Sequence, residues 1–156
     1  GFAGVDRRFQ VSGDISLNGI GLTLVDDYGH HPTEVEAVIQ TARRVWPEQN
    51  LVMVYQPHRY SRTRDLFDDF VRVLSEVDTL ILLEVYSAGE TPIPGADSKA
   101  LAQAIRQRGQ VSPVYAQDPQ EALSLLPSLV KDGEVLLVQG AGNVNVISNS
   151  LRGDND

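Results

Sequence analysis

Blocks of hydrophobic and polar residues alternate along the chain, and their lengths predict strands and helices in turn. Four short apolar runs, at 20–25, 51–55, 79–83 and 134–138, have the length of buried strands. Between them, apolar residues recur at spacings of three and four, the pattern of a helix that lies on a core. The inner positions of these helices are Val35, Val38, Ile39, Ala42 and Trp46; Leu66, Phe67, Phe70, Val71 and Leu74; Leu101, Ala104 and Ile105; Leu123, Leu126 and Leu129; and Val144, Ile147 and Leu151. Alternating strands and helices predict an α/β fold, with a Rossmann-like, mainly parallel sheet and helices on both faces.

Prolines refine this picture. Pro32 marks the start of the first helix, because proline is favoured at the first helical position. Pro127 is expected to kink or shorten the helix that contains it. The run at 111–115 is interrupted by Pro113, so it should be a short strand at an edge of the sheet. The segment 9–15 offers a further strand.

Polar clusters follow the ends of the predicted strands. They occupy 26–34, 56–64, 84–93 and 139–143. In a parallel sheet the strand-to-helix loops emerge at one edge, so clusters far apart in sequence can form one ligand site there. A simpler interpretation of the first cluster is that its aspartates and threonine only form a turn and cap a helix.

Composition limits the possible functions. The 156 residues are 42% hydrophobic, which suits one compact domain. A net charge of −8 argues against a general nucleic-acid surface. Cysteine is absent, which excludes disulfides and thiolate chemistry, and no apolar run approaches the roughly 20 residues of a membrane span. We therefore expect a soluble protein with no nucleic-acid or membrane partner, and a cytoplasmic location fits these features.

Within the acidic chain, Arg59, Arg62 and Arg64 lie close to His58 and suggest a small anionic ligand.

The chain begins at Gly1 without a methionine, and its first residues do not look like a natural start. We expect an excised piece of a longer protein. The polar tail 152–156 is expected to fray.

Several motifs together resemble the C-terminal domain of the Mur ligase family. They are Gly4-Val5-Asp6-Arg7-Arg8-Phe9, Asp26-Asp27-Tyr28-Gly29-His30-His31-Pro32-Thr33-Glu34, Gln56-Pro57-His58-Arg59-Tyr60-Ser61-Arg62-Thr63, Glu84-Val85-Tyr86-Ser87-Ala88-Gly89-Glu90 and Gly140-Ala141-Gly142-Asn143. They cover nearly the whole chain, so 1–156 is interpreted as one such domain, with 1–8 at the junction to a central domain. The murein-peptide recycling ligase has a similar double histidine, but its pairing here with the motif at 56–63 favours the branch that uses L-alanine.

The resemblance implies an ATP-dependent ligase that joins L-alanine to UDP-N-acetylmuramate in peptidoglycan precursor synthesis. In such a ligase the muramate carboxylate forms an acyl phosphate, and the L-alanine amine displaces phosphate through a tetrahedral intermediate. The family has three domains, and the third closes over ATP and positions the amino acid. The phosphate-binding loop and the Mg²⁺ ligands belong to the central domain, so we assign no metal ligand here. The isolated chain is expected to be inactive.

The resemblance also implies roles for single residues. Arg8 matches an arginine that reaches the ATP phosphates, and Asp27 matches an aspartate that accepts hydrogen bonds from the ribose. Arg62, with His58 and Arg59, matches a basic loop that faces the reacting end of the substrate. His30 is assigned to the same region as a substrate contact, whereas Asp26 is assigned to shaping the turn.

Other interpretations are weaker. Gly140-Ala141-Gly142 lacks the third glycine of a dinucleotide fingerprint and follows the last strand. A metal site made of His30, His31 and His58 has no helix-spaced carboxylate to complete it. The arginines of 59–64 could simply pair with nearby aspartates, as Arg64 could with Asp68. A non-catalytic interaction module is a further alternative, although such a module has no need for imidazole and charged groups on several loops.

Overall fold

The computed structural model describes residues 7–153 as a six-stranded sheet with helices on both faces. In chain order the elements are β1 (Gln10–Leu17), β2 (Ile20–Asp27), α1 (Pro32–Val45), β3 (Leu51–Tyr55), α2 (Tyr60–Asp65), α3 (Phe67–Leu74), β4 (Thr79–Leu83), α4 (Ser98–Arg108), β5 (Val114–Ala116), α5 (Pro119–Leu129), β6 (Val135–Gln139) and α6 (Asn145–Leu151).

The sheet has the order β1-β2-β6-β3-β4-β5, and only β1 runs antiparallel to its neighbour. The register aligns Asp27 of β2, Gln139 of β6 and Tyr55 of β3 in one row at the carboxyl ends of their strands. Since neighbours in a row project to the same face, this register brings polar side chains of three strands together. The predicted α/β fold with a mainly parallel sheet is confirmed.

The side chains of the central strands fill two separate cores. Along β3, Met53 and Tyr55 project into one core, which α1, α3 and α4 cover. Val52 and Val54 project into the other core, which α5 and α6 cover. These four side chains are fully buried, and burying each aliphatic side chain stabilises the fold by roughly 1.5–3 kcal/mol. Burial on both faces explains why these strands are continuous hydrophobic runs rather than alternating ones.

The largest difference from the sequence prediction lies in the second polar cluster. Its segment Tyr60–Asp65 forms the separate helix α2, and Leu66, with φ −117°, separates it from α3. Hydrophobic periodicity did not predict α2, because only Tyr60 and Thr63 of its six residues are buried.

The ends of the other elements agree more closely. The further strand predicted at 9–15 is confirmed as β1, and the edge strand β5 begins just after Pro113. Helix α5 continues past Pro127 to Leu129, so the proline does not cut it short.

Some predictions concern the two termini. Residues 1–6 and 154–156 lie outside the described part of the chain, as does most of the junction predicted at 1–8. Of the tail predicted to fray, Arg152 and Gly153 are described, and the guanidinium of Arg152 donates to Ser12 Oγ at 3.2 Å and to Asn149 Oδ1 at 2.7 Å.

Carboxylates bind backbone N–H groups at the starts of α1, α4 and α5, which begin at the carboxyl edge of the sheet. Glu34 Oε1 accepts from the backbone N–H groups that precede α1, Asp97 accepts from the first turn of α4, and Asp118 accepts from the first turn of α5. The free N–H groups of these helix ends are thus partly satisfied within the domain. None of the helices between residues 7 and 153 has the length and hydrophobicity of a membrane-spanning segment.

Candidate functional site

Asp26 lies inside β2 and binds the segment that precedes β1. Its carboxylate accepts from Arg7 Nη2 at 2.9 Å and from Arg7 Nε at 3.1 Å. Arg7 also donates to the carbonyl oxygen of Gly140 at 3.2 Å. The sequence-based role of Asp26 in shaping a turn is therefore wrong: its carboxylate is a buried partner of an arginine that joins three segments.

Asp27 lies at the end of β2 and connects three parts of the site. Its Oδ1 accepts from the Gly29 backbone N–H at 2.7 Å and from Gln139 Nε2 at 3.1 Å, and its Oδ2 accepts from the Phe9 N–H at 2.7 Å. Burial raises the pKa of Asp27, although the two backbone donors oppose that shift. A carboxylate offers about four acceptor positions, so these three bonds leave roughly one for a ligand.

A cleft of about 420 Å³ opens beside Asp27. Its walls come from the segment before β1, the β2–α1 loop and one face of α1. The lining residues are Arg8, Phe9, Asp27, Tyr28, Gly29, Glu34, Ala37, Val38 and Thr41. Arg8 and Asp27, which sequence reasoning assigned to one ligand, thus line the same cleft. A Cβ at Gly29 would lie 2.8 Å from Asp27 Oδ1, so the close approach of this loop requires glycine.

The loop that leads into α1 is held from both sides. Tyr55 donates its hydroxyl to the carbonyl oxygen of His30 at 3.0 Å. Glu34 Oε1 accepts from the N–H groups of His30 and His31, both at 3.0 Å, and His31 is the N-cap of α1. Burial raises the pKa of Glu34, but these two backbone bonds outweigh it and the net pKa is lowered. The position of His30 is therefore fixed by its backbone.

Three imidazoles and two tyrosines form a continuous ring cluster at this edge. The ring of His30 lies 5.5 Å from that of Tyr28, 5.1 Å from that of His31 and 5.5 Å from that of His58. The ring of His58 stacks on Tyr86 with 5.5 Å between centroids. Tyr28 also lines the cleft, so the cluster connects the cleft with the second polar loop.

Burial lowers the pKa of both His30 and His58, and nearby Arg62 adds to the effect on each. Both rings are therefore neutral near pH 7. Nδ1 of His30 is buried without a hydrogen-bond partner among the described residues. In residues 7–153 no group of three or more histidine, cysteine or carboxylate side chains has the geometry of a metal site.

Arg62, on α2, is directed by His58. Its Nη1 donates to the carbonyl oxygen of His58 at 2.8 Å and lies 3.3 Å from His58 Nδ1. Because a guanidinium can only donate, Nδ1 must accept, which puts the imidazole proton on Nε2. Arg59 pairs with Glu90 at 3.9 Å, and Arg64 pairs with Asp65 at 2.9 Å rather than with Asp68 as proposed from spacing.

Among the three arginines of the segment 59–64, Arg62 differs in having no carboxylate partner in the described part of the chain. It forms no salt bridge with any carboxylate between residues 7 and 153. A partly buried guanidinium without a carboxylate partner is suited to an anionic ligand, which it can bind with two parallel hydrogen bonds.

The last polar loop, 140–143, packs against the ends of β3 and β4. Gln56 donates to Asn143 Oδ1 at 2.7 Å and accepts from the Val144 N–H at 3.1 Å. A Cβ at Gly142 would lie 2.6 Å from Cγ of Tyr86. Gln56 and Asn143 thus bond mainly to each other and to the backbone. With this loop in place, the four polar clusters meet at one edge of the sheet, as predicted.

Comparison with known proteins agrees with this arrangement. A family model described as "Mur ligase, glutamate ligase domain" matches residues 7–142. The chain belongs to the Mur ligase family. A UDP-N-acetylmuramate–L-alanine ligase of Methylococcus capsulatus is 54% identical to this Mur ligase domain over 151 residues, which is 97% of the chain and 32% of that protein. The chain thus spans about a third of the length of this curated relative.

Solved structures share the fold. The UDP-N-acetylmuramate–alanine ligase MurC of Thermotoga maritima superimposes with a TM-score of 0.72 at 23% identity, over 94% of the Mur ligase domain and 29% of that chain. A murein peptide ligase of Psychrobacter arcticus gives a TM-score of 0.69 at 16% identity, over 97% and 30% of the two chains. At these identities the similarity establishes the fold and does not select a substrate.

Proposed function

We propose that this chain is the C-terminal domain of an ATP-dependent ligase that joins L-alanine to UDP-N-acetylmuramate. The geometric observation that carries the proposal is the pairing of two unlike subsites at one edge of the sheet. One is the cleft beside Asp27 and Arg8, and the other is the unpaired Arg62 beside neutral His58. The 54% identity to a ligase of that name supports this choice of substrates.

In this proposal the cleft receives the nucleoside part of ATP. Asp27 accepts a hydrogen bond from one ribose hydroxyl, since three of its four acceptor positions are used within the domain. Arg8 is exposed beside the cleft, where its fork of donors suits the phosphates. Mg²⁺ is assigned to ligands of the central domain, as the resemblance to the family implies. This domain would therefore act through nucleoside and phosphate contacts rather than through the metal.

The second subsite would hold the reacting end of the acceptor. Arg62 is proposed to bind the carboxylate of L-alanine or the departing phosphate, with its guanidinium directed by His58. Arg59 adds positive charge at the entrance, and His30 lies between the two subsites. The resulting arrangement would align the acceptor with the acyl phosphate, which accelerates reaction chiefly by proximity. A cytoplasmic setting follows from this use of ATP and a nucleotide sugar.

The alternative within the family is the murein-peptide recycling ligase, whose fold the chain shares. It would use the same cleft for ATP but take a peptide in place of L-alanine. The two proposals therefore differ only in the acceptor.

Phosphate release by the full-length ligase tests the proposal. The assay supplies UDP-N-acetylmuramate, Mg-ATP and a panel of single amino acids, dipeptides and tripeptides, with the 156-residue chain as an inactive control. We expect release that depends on L-alanine. Release only with peptides would favour the recycling ligase, and no release with any acceptor would favour a non-catalytic module.

A matched pair of variants tests the acceptor subsite. Arg62→Ala should raise the KM for L-alanine by roughly 10- to 150-fold, the loss expected for one charged hydrogen-bonded contact. Arg64→Ala removes an arginine two residues away that is already paired with Asp65, and it should change that KM less than about twofold. A selective loss of UDP-sugar affinity in Arg62→Ala would contradict the assignment.

A further inference from the structure

Helix α2 begins without a cap of its own. It has only six residues, and its N-cap residue Arg59 has φ +76° and makes no side-chain capping bond. So short a helix is not stable by itself and depends on tertiary contacts. The geometry of Arg62, which lies on α2, therefore depends on whatever holds the start of this helix.

Glu90 supplies the missing cap from another loop. Its Oε1 accepts from the Ser61 backbone N–H at 3.1 Å, and its Oε2 accepts from the Ser61 hydroxyl. The same carboxylate lies 3.9 Å from Nη1 of Arg59. These hydrogen bonds from Ser61 lower the pKa of Glu90, so the cap is ionised near pH 7. One carboxylate thus binds both the start of α2 and the residue before it.

The loop after β4 is shaped to present this carboxylate. Ala88 and Gly89 both have positive φ, +51° and +89°, and Glu90 N–H donates to the carbonyl oxygen of Ser87 at 3.0 Å. Two consecutive left-handed residues closed by this bond form a type I′ turn, and the left-handed conformation is unfavourable for alanine.

A second connection joins the same two loops. The Arg59 N–H donates to the Tyr86 carbonyl oxygen, and the Tyr86 N–H donates to the Pro57 carbonyl oxygen, both at 2.8 Å. Backbone bonds therefore align the chain up to Arg59, and the bonds to Glu90 continue the alignment into α2. The segment that carries His58, Arg59 and Arg62 is fixed at both of its ends.

We infer that Glu90 is a positioning residue of the acceptor subsite, because it caps α2, pairs with Arg59 and so leaves Arg62 directed by His58 and free for an anion. In this role Glu90 acts by holding α2, which carries Arg62, and not by binding substrate itself. The kinetic consequences of this inference rest on the proposed function. The capping of α2 by Glu90 does not depend on that function.

Hydrogen exchange of the full-length ligase tests the cap directly. In Glu90→Ala, amides of peptides that cover 60–66 should exchange roughly tenfold faster, since the Ser61 N–H and the first turn lose their acceptor. Glu48→Ala removes an exposed glutamate in the turn after α1 and should leave that exchange unchanged. Unchanged exchange in Glu90→Ala would overturn the inference whatever the enzyme's activity.

Kinetics then test the link to Arg62. We expect Glu90→Ala to raise the KM for L-alanine roughly tenfold and the KM for ATP less than twofold. Glu90→Gln keeps an acceptor for Ser61, so its KM for L-alanine should rise less than that of Glu90→Ala. In an Arg62→Ala background Glu90→Ala should add less than about twofold, because both substitutions remove the same contact. Fully multiplicative losses, or an unaffected KM for L-alanine, would overturn the positioning role.

The two proposals fail in different ways. If the unsubstituted ligase shows no turnover that depends on L-alanine, the proposed function is wrong, and the exchange experiment still decides whether Glu90 caps α2. If the unsubstituted ligase uses L-alanine and Glu90→Ala does so equally well, the present inference alone is wrong.

Discussion

Replacing Arg7 by methionine should destabilise the fold far more than a surface substitution, because it leaves the carboxylate of Asp26 buried without its counter-ion. Asp26 is 1% exposed and Arg7 is 13% exposed, so water cannot readily take the place of the guanidinium. The change removes two charge-assisted hydrogen bonds to Asp26 and one to the Gly140 carbonyl oxygen. Breaking a buried ion pair on one side costs about 3–5 kcal/mol, and we expect a loss in that range.

Urea unfolding at pH 7 measures the effect. Arg44→Met provides the control, since Arg44 is an exposed arginine of α1, and it should change the free energy of unfolding by less than about 0.5 kcal/mol. The double variant Arg7→Met/Asp26→Leu removes both charges and should recover most of the loss, to within about 1–2 kcal/mol of the unsubstituted chain. The dependence of the free energy on urea should stay the same, so that the shift in midpoint reports stability.

Two results would refute this reasoning. A loss below about 1 kcal/mol in Arg7→Met would mean that the Asp26 carboxylate is hydrated rather than enclosed. A double variant as unstable as the single one would mean that the cost comes from lost packing around residue 7 and not from an orphaned charge.

Three further predictions concern the site. Burial lowers the pKa of His58, so as the pH falls the unfolded chain takes up a proton before the folded chain does, and stability should begin to fall near pH 6.5. The KM for L-alanine should rise only at lower pH, where a protonated Nδ1 cannot accept from Arg62. A KM that stays flat over the whole acid range in which the enzyme remains folded would contradict this. Gly142→Ala should cost about 1–3 kcal/mol in urea unfolding because the new Cβ meets Tyr86, whereas Gly13→Ala, which meets nothing within 4 Å, should not be destabilising by more than about 0.5 kcal/mol. Asp27→Asn should raise the KM for ATP about tenfold and also lower stability, since its amide must face a donor of Phe9, Gly29 or Gln139; an unchanged KM would argue against the ribose contact.

Hydrophobic pattern predicted the architecture because the two cores impose it. Leu51–Tyr55 is apolar throughout since both faces of β3 are covered, and α1 shows a clear stripe since only one face is. Helix α2 was not predicted, because the two cores do not determine it. Polar contacts with Glu90 and with the Tyr86 backbone hold its start, and such contacts leave no hydrophobic period in the sequence.

The meeting of the polar clusters at one edge of the sheet could be predicted from the sequence, whereas the contacts of single residues could not. The adjacent arginines at 7 and 8 look alike in sequence, yet one is bound to Asp26 and the other lies beside the cleft. The neighbouring aspartates at 26 and 27 likewise differ, because successive residues of a strand project to opposite faces. Glu90 was part of a recognised polar cluster, but its contact with a residue 29 positions earlier has no signal in local spacing.

The carboxylate caps on α1, α4 and α5 have a consequence for how this edge of the sheet can attract phosphate. Many nucleotide-binding folds hold phosphate on the exposed N–H groups of a helix start, a contact made by the backbone. Here Asp97 and Asp118 each occupy one such N–H group, and Glu34 occupies the two that precede α1, so we expect a polyphosphate near these three helix starts to rely mainly on arginine side chains. Side-chain charges are screened by salt, and each can be removed by a single substitution. Anion affinity at this surface should therefore be strongly dependent on ionic strength and open to change one arginine at a time.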